Sequence, residues 1–168
     1  MRKFLNRILF VFLSLFLFNC GGGGGGGGSS IDYATEINNI GTPFTIIGVN
    51  NSISYYGSNV KVGVVDTGID SSHVEFNGKS IGGQTYDTNS AKTTDGNGHG
   101  SHVAGIIAAN RDGSGIRGVS PSASLYSYKI FDNSGNSVLS TSDWASMVGL
   151  HRDTLLGDDI DFSNNSWG

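Results

Sequence analysis

The sequence predicts an α/β domain built on a mostly parallel central sheet, and three observations carry that expectation. Strand-length and helix-length runs alternate from about residue 60 onward. The first strand is apolar almost throughout, as a strand covered on both faces must be. The first helix is made of small and aliphatic residues, which let a helix lie close to a sheet.

The elements follow in order. Val60-Lys61-Val62-Gly63-Val64-Val65 is a β-branched run set between Gly57-Ser58-Asn59 and Asp66-Thr67-Gly68, both turn-forming. Ser101 to Asn110 reads as the helix, with Val103, Ala104, Ile106, Ile107, Ala108 and Ala109, and Arg111-Asp112-Gly113-Ser114-Gly115 ends it. Leu125 to Phe131 is a second strand. Ser140 is placed to cap a further helix whose Trp144, Met147, Val148 and Leu155 share a face, and Ile160-Asp161-Phe162-Ser163 begins a third strand. Strand, helix, strand, helix, strand implies parallel pairing through right-handed crossovers.

The chain of 168 residues has room for one such core, because its first thirty residues do not read as globular. Arg2, Lys3 and Arg7 precede the apolar run Ile8 to Phe18, the pattern of an export signal, and the run is too short to span a bilayer. Cys20, the single cysteine, excludes an intramolecular disulfide. It follows the apolar run directly, with Leu17 three residues before it, and so resembles a bacterial lipoprotein cleavage site, although Asn19 stands where a small residue is usual. Gly21 to Gly28 with Ser29-Ser30 is a flexible tether reaching roughly 15–20 Å, of the kind that joins a lipid anchor to a folded domain. The expected division is a signal over 1–20 with Cys20 lipidated, a tether over 21–30, an N-terminal extension over 31–58 and the α/β domain over 59–168. Export to the bacterial envelope or surface follows, by lipid anchor or as a secreted protein.

Charge excludes a class of partners. Setting aside the three N-terminal cations leaves 7 basic against 14 acidic residues, and no later basic stripe appears, so nucleic acid is not expected as a partner.

Two segments carry chemistry. Functional groups in open α/β sheets gather at the carboxyl ends of strands, where Asp66 sits, although an Asp there also serves as a turn former. In Asp95-Gly96-Asn97-Gly98-His99-Gly100-Ser101-His102, His99 stands at the mouth of the small-residue helix. A helix N-terminus disfavours imidazolium, so a basic histidine placed there needs a carboxylate partner, and Asp66 is the candidate.

Taken together, Val62-Gly63-Val64-Val65-Asp66-Thr67-Gly68-Ile69-Asp70, then His99-Gly100-Ser101-His102-Val103-Ala104-Gly105, then Gly118-Val119-Ser120-Pro121, closely resemble the subtilisin-like (subtilase) serine protease family in sequence, order and spacing. Ser72-His73, Leu125-Tyr126 with Lys129, and Asn165-Ser166-Trp167-Gly168 extend the match, which runs from about Asn59 to Gly168. The resemblance implies the three-layer subtilisin-like fold, truncated to the N-terminal half of a peptidase domain, and a serine endopeptidase acting on polypeptides. It places Asp66 and His99 as the first two members of an Asp-His-Ser triad. His102 matches a structural histidine and reads as a packed helix residue. The Gly-Thr-Ser context of the nucleophile and the later oxyanion Asn are absent, so this chain alone is expected to be inactive. Ser166, Trp167 and Gly168 match the strand that pairs with substrate, and Ser134-Gly135-Asn136 the loop facing it. No cofactor is required by the resemblance. It offers calcium in the loop from Asn110 to Ile116, with Asp112 as an oxygen ligand, although Arg111 and three small residues make a poor hard-cation cage.

Other readings explain less. Asp66-Thr67-Gly68 also suits an aspartic protease, which needs two such carboxylates and leaves the histidine segment without a role. Gly78-Lys79-Ser80-Ile81-Gly82 fits a nucleophile-elbow pattern but is followed by glycines rather than a helix. The run from Asp95 starts like an EF-hand but has Ile106 where a bidentate Glu is required, and His99 and His102 lack a zinc-binding pattern. The alternative from another class is a catalytically inactive, membrane-tethered fragment or peptide-binding module.

Overall fold

The computed structural model describes Glu36 and residues 41–50, 54–152 and 157–167, all within one unit spanning Ile31–Gly168. The expected signal, Cys20, the tether, Leu155 and Gly168 lie outside the described residues.

Four strands form the sheet: β1 (Lys61–Asp66), β2 (Gly82–Thr85), β3 (Ser124–Lys129) and β4 (Phe162–Asn164). Their order is β2-β3-β1-β4, and every pairing is parallel. The helices are α1 (Thr42–Ile46), α2 (His99–Ala108) and α3 (Thr141–Arg152), with a 3-10 turn at Val74–Phe76. None of the described helices is long and apolar enough to cross a membrane.

The β-branched run explains β1. Period-two geometry sends Val62 and Val64 to one face, where they pack with Phe76, Leu125 and the α2 residues Val103, Ala104 and Ala108. Val65 goes to the other face with Tyr128, Ile130 and Met147 of α3. Both faces of the sheet are therefore covered by helices, the three-layer arrangement expected of a parallel sheet. The small side chains of α2 are what bring that helix down onto the sheet.

Several boundaries and contacts differ from the sequence expectation. α2 starts at His99 rather than Ser101, because Gly98, at φ 92°, turns the chain into the helix and side chains from outside it cap its first turn. β2 was hidden in a Gly-Gly-Gln-Thr segment whose single β-branched residue is Thr85. Its glycine is required by close approach: a Cβ at Gly83 would lie 2.2 Å from the Ser127 carbonyl oxygen on β3. α1 lies in the N-terminal extension, with a proline in its first turn and Phe44 buried. The final strand begins two residues later than the pattern indicates.

Ser140 does cap α3. Its Oγ accepts the Asp143 N–H (3.2 Å) while the Asp143 carboxylate accepts the Ser140 N–H (2.8 Å), a reciprocal capping box. The shared apolar face is narrower than expected: Met147 is 4% exposed, but Trp144 and Val148 are 37% and 47% exposed. They sit at the margin of the helix contact, where Trp144 meets Trp167 instead of the core (centroids 5.6 Å apart).

The core accounts for stability in a testable way. Replacing the buried Leu125 with Ala should lower the free energy of unfolding by about 2–5 kcal/mol in urea titrations. The same change at Phe162, exposed on the edge strand, should move it by less than about 0.5 kcal/mol.

Candidate active site

β1 lies between β3 and β4: the chain leaves it for β2 through the Val74–Phe76 turn, returns to β3 through α2, and crosses to β4 on the other side through α3. The carboxyl end of β1 is thus where strand order reverses, the place where open α/β sheets form a crevice. Asp66 is the last residue of β1, 1% exposed, and His99 is the first residue of α2.

The two meet directly. Asp66 Oδ1 lies 2.7 Å from His99 Nδ1 and also accepts the Thr67 N–H at 2.7 Å. Asp66 Oδ2 is buried without a hydrogen-bond partner. A carboxylate only accepts, so the imidazole proton of the neutral ring sits on Nδ1 and the Nε2 lone pair is left for a reacting group. The His99 side chain is 47% exposed, so the ring is reachable from solvent.

Close backbone approach makes this contact attainable. A Cβ on Gly100 would lie 2.1 Å from the Gly68 carbonyl oxygen and 3.2 Å from Asp66 Cβ, so any larger residue at 100 would drive the start of α2 away from β1. The helix mouth is capped from outside. Asp95 accepts the N–H groups of Gly98 (2.9 Å) and Ser101 (2.8 Å), Thr67 Oγ1 accepts that of Gly100 (2.9 Å), and Asn97 Oδ1 that of His99 (3.3 Å). At the end of β3, in register with Asp66, buried Lys129 donates to the Thr67 carbonyl and lies 3.9 Å from buried Asp87. Burial pushes the Asp95 carboxyl up, but hydrogen bonds from Ser101, Gly98 and Thr67 outweigh it and hold Asp95 below the usual carboxylate range.

Asp66 and His99 open onto a cleft of about 510 Å³ that is also lined by Phe131, Gly135, Trp144, Ser166 and Trp167. Trp167 sits edge-on to Phe131 (5.8 Å, 70°) and against Trp144, forming an aromatic wall. Ser166 and Trp167 therefore reach the cleft, beyond the last residue of β4. Of the loop residues, Gly135 lines it. Ser134 and Asn136 flank it with their N–H groups turned to Asp132 Oδ1 (2.8 and 2.9 Å), and the bonds from Asn136 and Ser134 hold the Asp132 carboxyl below its ordinary range. His102 is exposed, on the helix face turned away from the sheet, and is not the packed residue the sequence suggests.

The loop after α2 offers little to a hard cation. Asp112 Oδ1 accepts the Ser114 N–H (3.0 Å), and Glu36 Oε1 takes the N–H groups of Asp112 (2.6 Å) and Gly113 (2.7 Å). Arg111 and Arg117 lie over the Tyr56 ring at 4.9 and 5.5 Å, placing positive charge beside the loop. Among the described residues no three His, Cys, Asp or Glu side chains are grouped to hold a metal. These donors do not fit calcium.

Sequence reasoning missed Thr67 and Asp95 as parts of the site. The signal was present: Asp95 and Asn97 immediately precede a helix, where Asx side chains commonly satisfy first-turn N–H groups.

The sequence model of the subtilase family matches residues 57–168. The chain belongs to the subtilase family. It is 44% identical over 100 residues to subtilisin DY of Bacillus licheniformis, covering 57% of this chain and 36% of that protein. It is 45% identical over 102 residues to subtilisin E of Bacillus subtilis, covering 56% and 26%. In structure it is similar to fervidolysin from Fervidobacterium pennivorans, a keratinolytic enzyme related to subtilisin, with TM-score 0.60 and 34% identity over 73% of this chain and 19% of that one. The serine protease of Aeromonas sobria gives TM-score 0.55 and 32% identity, covering 67% and 19%. The chain thus spans about a third or less of the length of these relatives.

The capping role of Asp95 predicts a pH effect. Its folded pKa is below its unfolded value, so its stabilisation is fully present above the ordinary carboxylate pKa of about 4 and is lost as pH falls through the lower folded value. Asp95→Asn should therefore be less stable than the unmodified chain at about pH 7, with the gap narrowing at about pH 3, when both are unfolded in urea.

Proposed function

We propose that this subtilase chain carries the Asp and His of a serine endopeptidase site, and that a longer protein supplies the serine. The observation that carries this reading is the 2.7 Å contact of His99 Nδ1 with Asp66 Oδ1, at the edge of a cleft containing Ser166 and Trp167. With Nδ1–H held by the carboxylate, Nε2 is left to take the proton of an attacking hydroxyl and return it to the leaving amine. Asp66, buried beside the ring, stabilises the imidazolium formed between those steps. The 168 residues contain no Gly-Thr-Ser segment, so the nucleophile is not among them.

Substrates are polypeptides. Pairing of the Ser166-Trp167 segment, beyond β4, with a substrate main chain would give affinity with little demand on side-chain identity, and the Phe131, Trp144 and Trp167 rings would supply an apolar wall. Export by the N-terminal signal, lipidation of Cys20 and the Gly/Ser tether would hold such a domain outside the cytoplasm, within about 20 Å of a membrane surface. In this division residues 31–58 form an extension continuous with the peptidase domain from 59 onward, and buried Phe44 and the Glu36 hydrogen bonds to the loop at 112–113 support that continuity.

Two steps test the reading. The coding frame after Gly168 should contain a Gly-Thr-Ser segment with an Asn before it; a frame without them favours the peptide-binding alternative. In the protein so encoded, Asp66→Asn and His99→Ala should each reduce kcat/KM for peptide hydrolysis by about 10⁴-fold. Undiminished turnover in either variant would overturn the roles assigned.

A further inference from the structure

Asp66 and His99 are separated by 33 residues and belong to different elements, so something must fix their distance. Packing alone does not, because the Gly68–Gly100 approach removes a steric barrier without supplying an attraction. The attraction comes from polar groups either side of the pair. Thr67, next to Asp66, donates its N–H to Asp66 Oδ1, accepts the Gly100 N–H at Oγ1 (2.9 Å) and donates from Oγ1 to Asp95 Oδ1 (2.8 Å). Asp95, four residues before His99, gathers the N–H groups of Asn97 (3.2 Å), Gly98 and Ser101 and the Ser101 hydroxyl (2.7 Å).

We propose that Asp95 is a positioning residue of the Asp66–His99 pair, acting through the Thr67 hydroxyl to hold the first turn of α2 against the end of β1. The proposal rests on reading Asp66 and His99 as a functional pair. Only a carboxylate serves here. Its two oxygens accept from five donors on both sides of the junction, whereas an amide at 95 would turn an NH₂ toward donors, leaving the Ser101 or the Thr67 side unmet. The ionised group also sets a fixed negative charge at the positive end of α2, offsetting the helix field that opposes a proton on the neighbouring imidazole. Asp95 is not among the residues that line the cleft at His99, whose ring is bonded to Asp66, and it acts by holding the backbone that carries that ring.

The test reads geometry rather than turnover. In the full chain, the proton shared between His99 Nδ1 and Asp66 should give a low-field NMR resonance whose exchange with water is slow. Thr67→Val, which keeps the volume and the N–H to Asp66 but removes the hydroxyl, should speed that exchange by about tenfold, the population change expected from losing one buried hydrogen bond. Asp95→Asn should do the same or more. Thr67→Ser, which restores the hydroxyl, should stay within about twofold of the unmodified chain. Asp143→Asn, at the cap of α3, serves as the control for general loss of stability and should leave the exchange unchanged. If Thr67→Val and Asp95→Asn lower the melting temperature but leave the exchange unchanged, the network is only a helix cap and the proposal fails. Should Asp95→Asn not fold, Thr67→Val carries the test alone. Absence of the resonance in the unmodified chain, or its survival in Asp66→Asn, would remove the pair itself and the proposal with it.

Discussion

The N–H groups of the cap residue Gly98 and of the first three residues of α2 have no partner within the helix, and each is met by a side chain that precedes it in sequence: Asp95 takes two, Asn97 one and Thr67 one. Three of these bonds are local to the loop entering the helix. The fourth, from Gly100 to Thr67 Oγ1, reaches to the end of β1, and through it the helix start and the strand end become one rigid junction. Everything chemical in the chain stands on that junction, since Asp66 is the residue before Thr67 and His99 the residue before Gly100. A glycine at 100 lets the backbones meet, and the hydroxyl at 67 holds them there.

Sheet order supplies the setting. With β1 between β3 and β4, and helices on both faces, the carboxyl end of the central strand opens into a crevice that α2 and the aromatic wall of Phe131, Trp144 and Trp167 enclose. The same arrangement buries Asp66 while leaving the His99 ring half in solvent. A buried carboxylate next to a reachable imidazole is an asymmetric pair: one member is enclosed by the protein and the other faces the cleft.

The strands at the centre of this account were legible because burial on both faces leaves a mark in composition, as in Val62 to Val65. The outer strand β2 was not, because its Gly-Gly-Gln-Thr sequence answers to close contact with β3 rather than to β propensity. Asp66 and His99 were legible through their spacing and flanking motifs, each being ambiguous alone. Thr67 and Asp95 were not, since their roles arise from hydrogen bonds between segments 28 residues apart, and a turn-forming Asp-Gly-Asn-Gly run looks the same whether it caps a helix or merely bends the chain. The helical period placed Trp144, Met147 and Val148 on one face, but period alone does not say how far a partner surface extends, and only Met147 is covered.

The most direct measurement is the tautomer of neutral His99 in the intact chain, read from its two ring nitrogens by ¹⁵N NMR. Unconstrained imidazole in water favours the proton on Nε2, so the resting preference opposes the state described above. The expected state is Nδ1–H with Nε2 unprotonated, because a buried carboxylate 2.7 Å from Nδ1 accepts a hydrogen bond and cannot donate one. A His99 found with its proton on Nε2 would mean that the Asp66 contact does not form in solution, and would contradict the account at its centre.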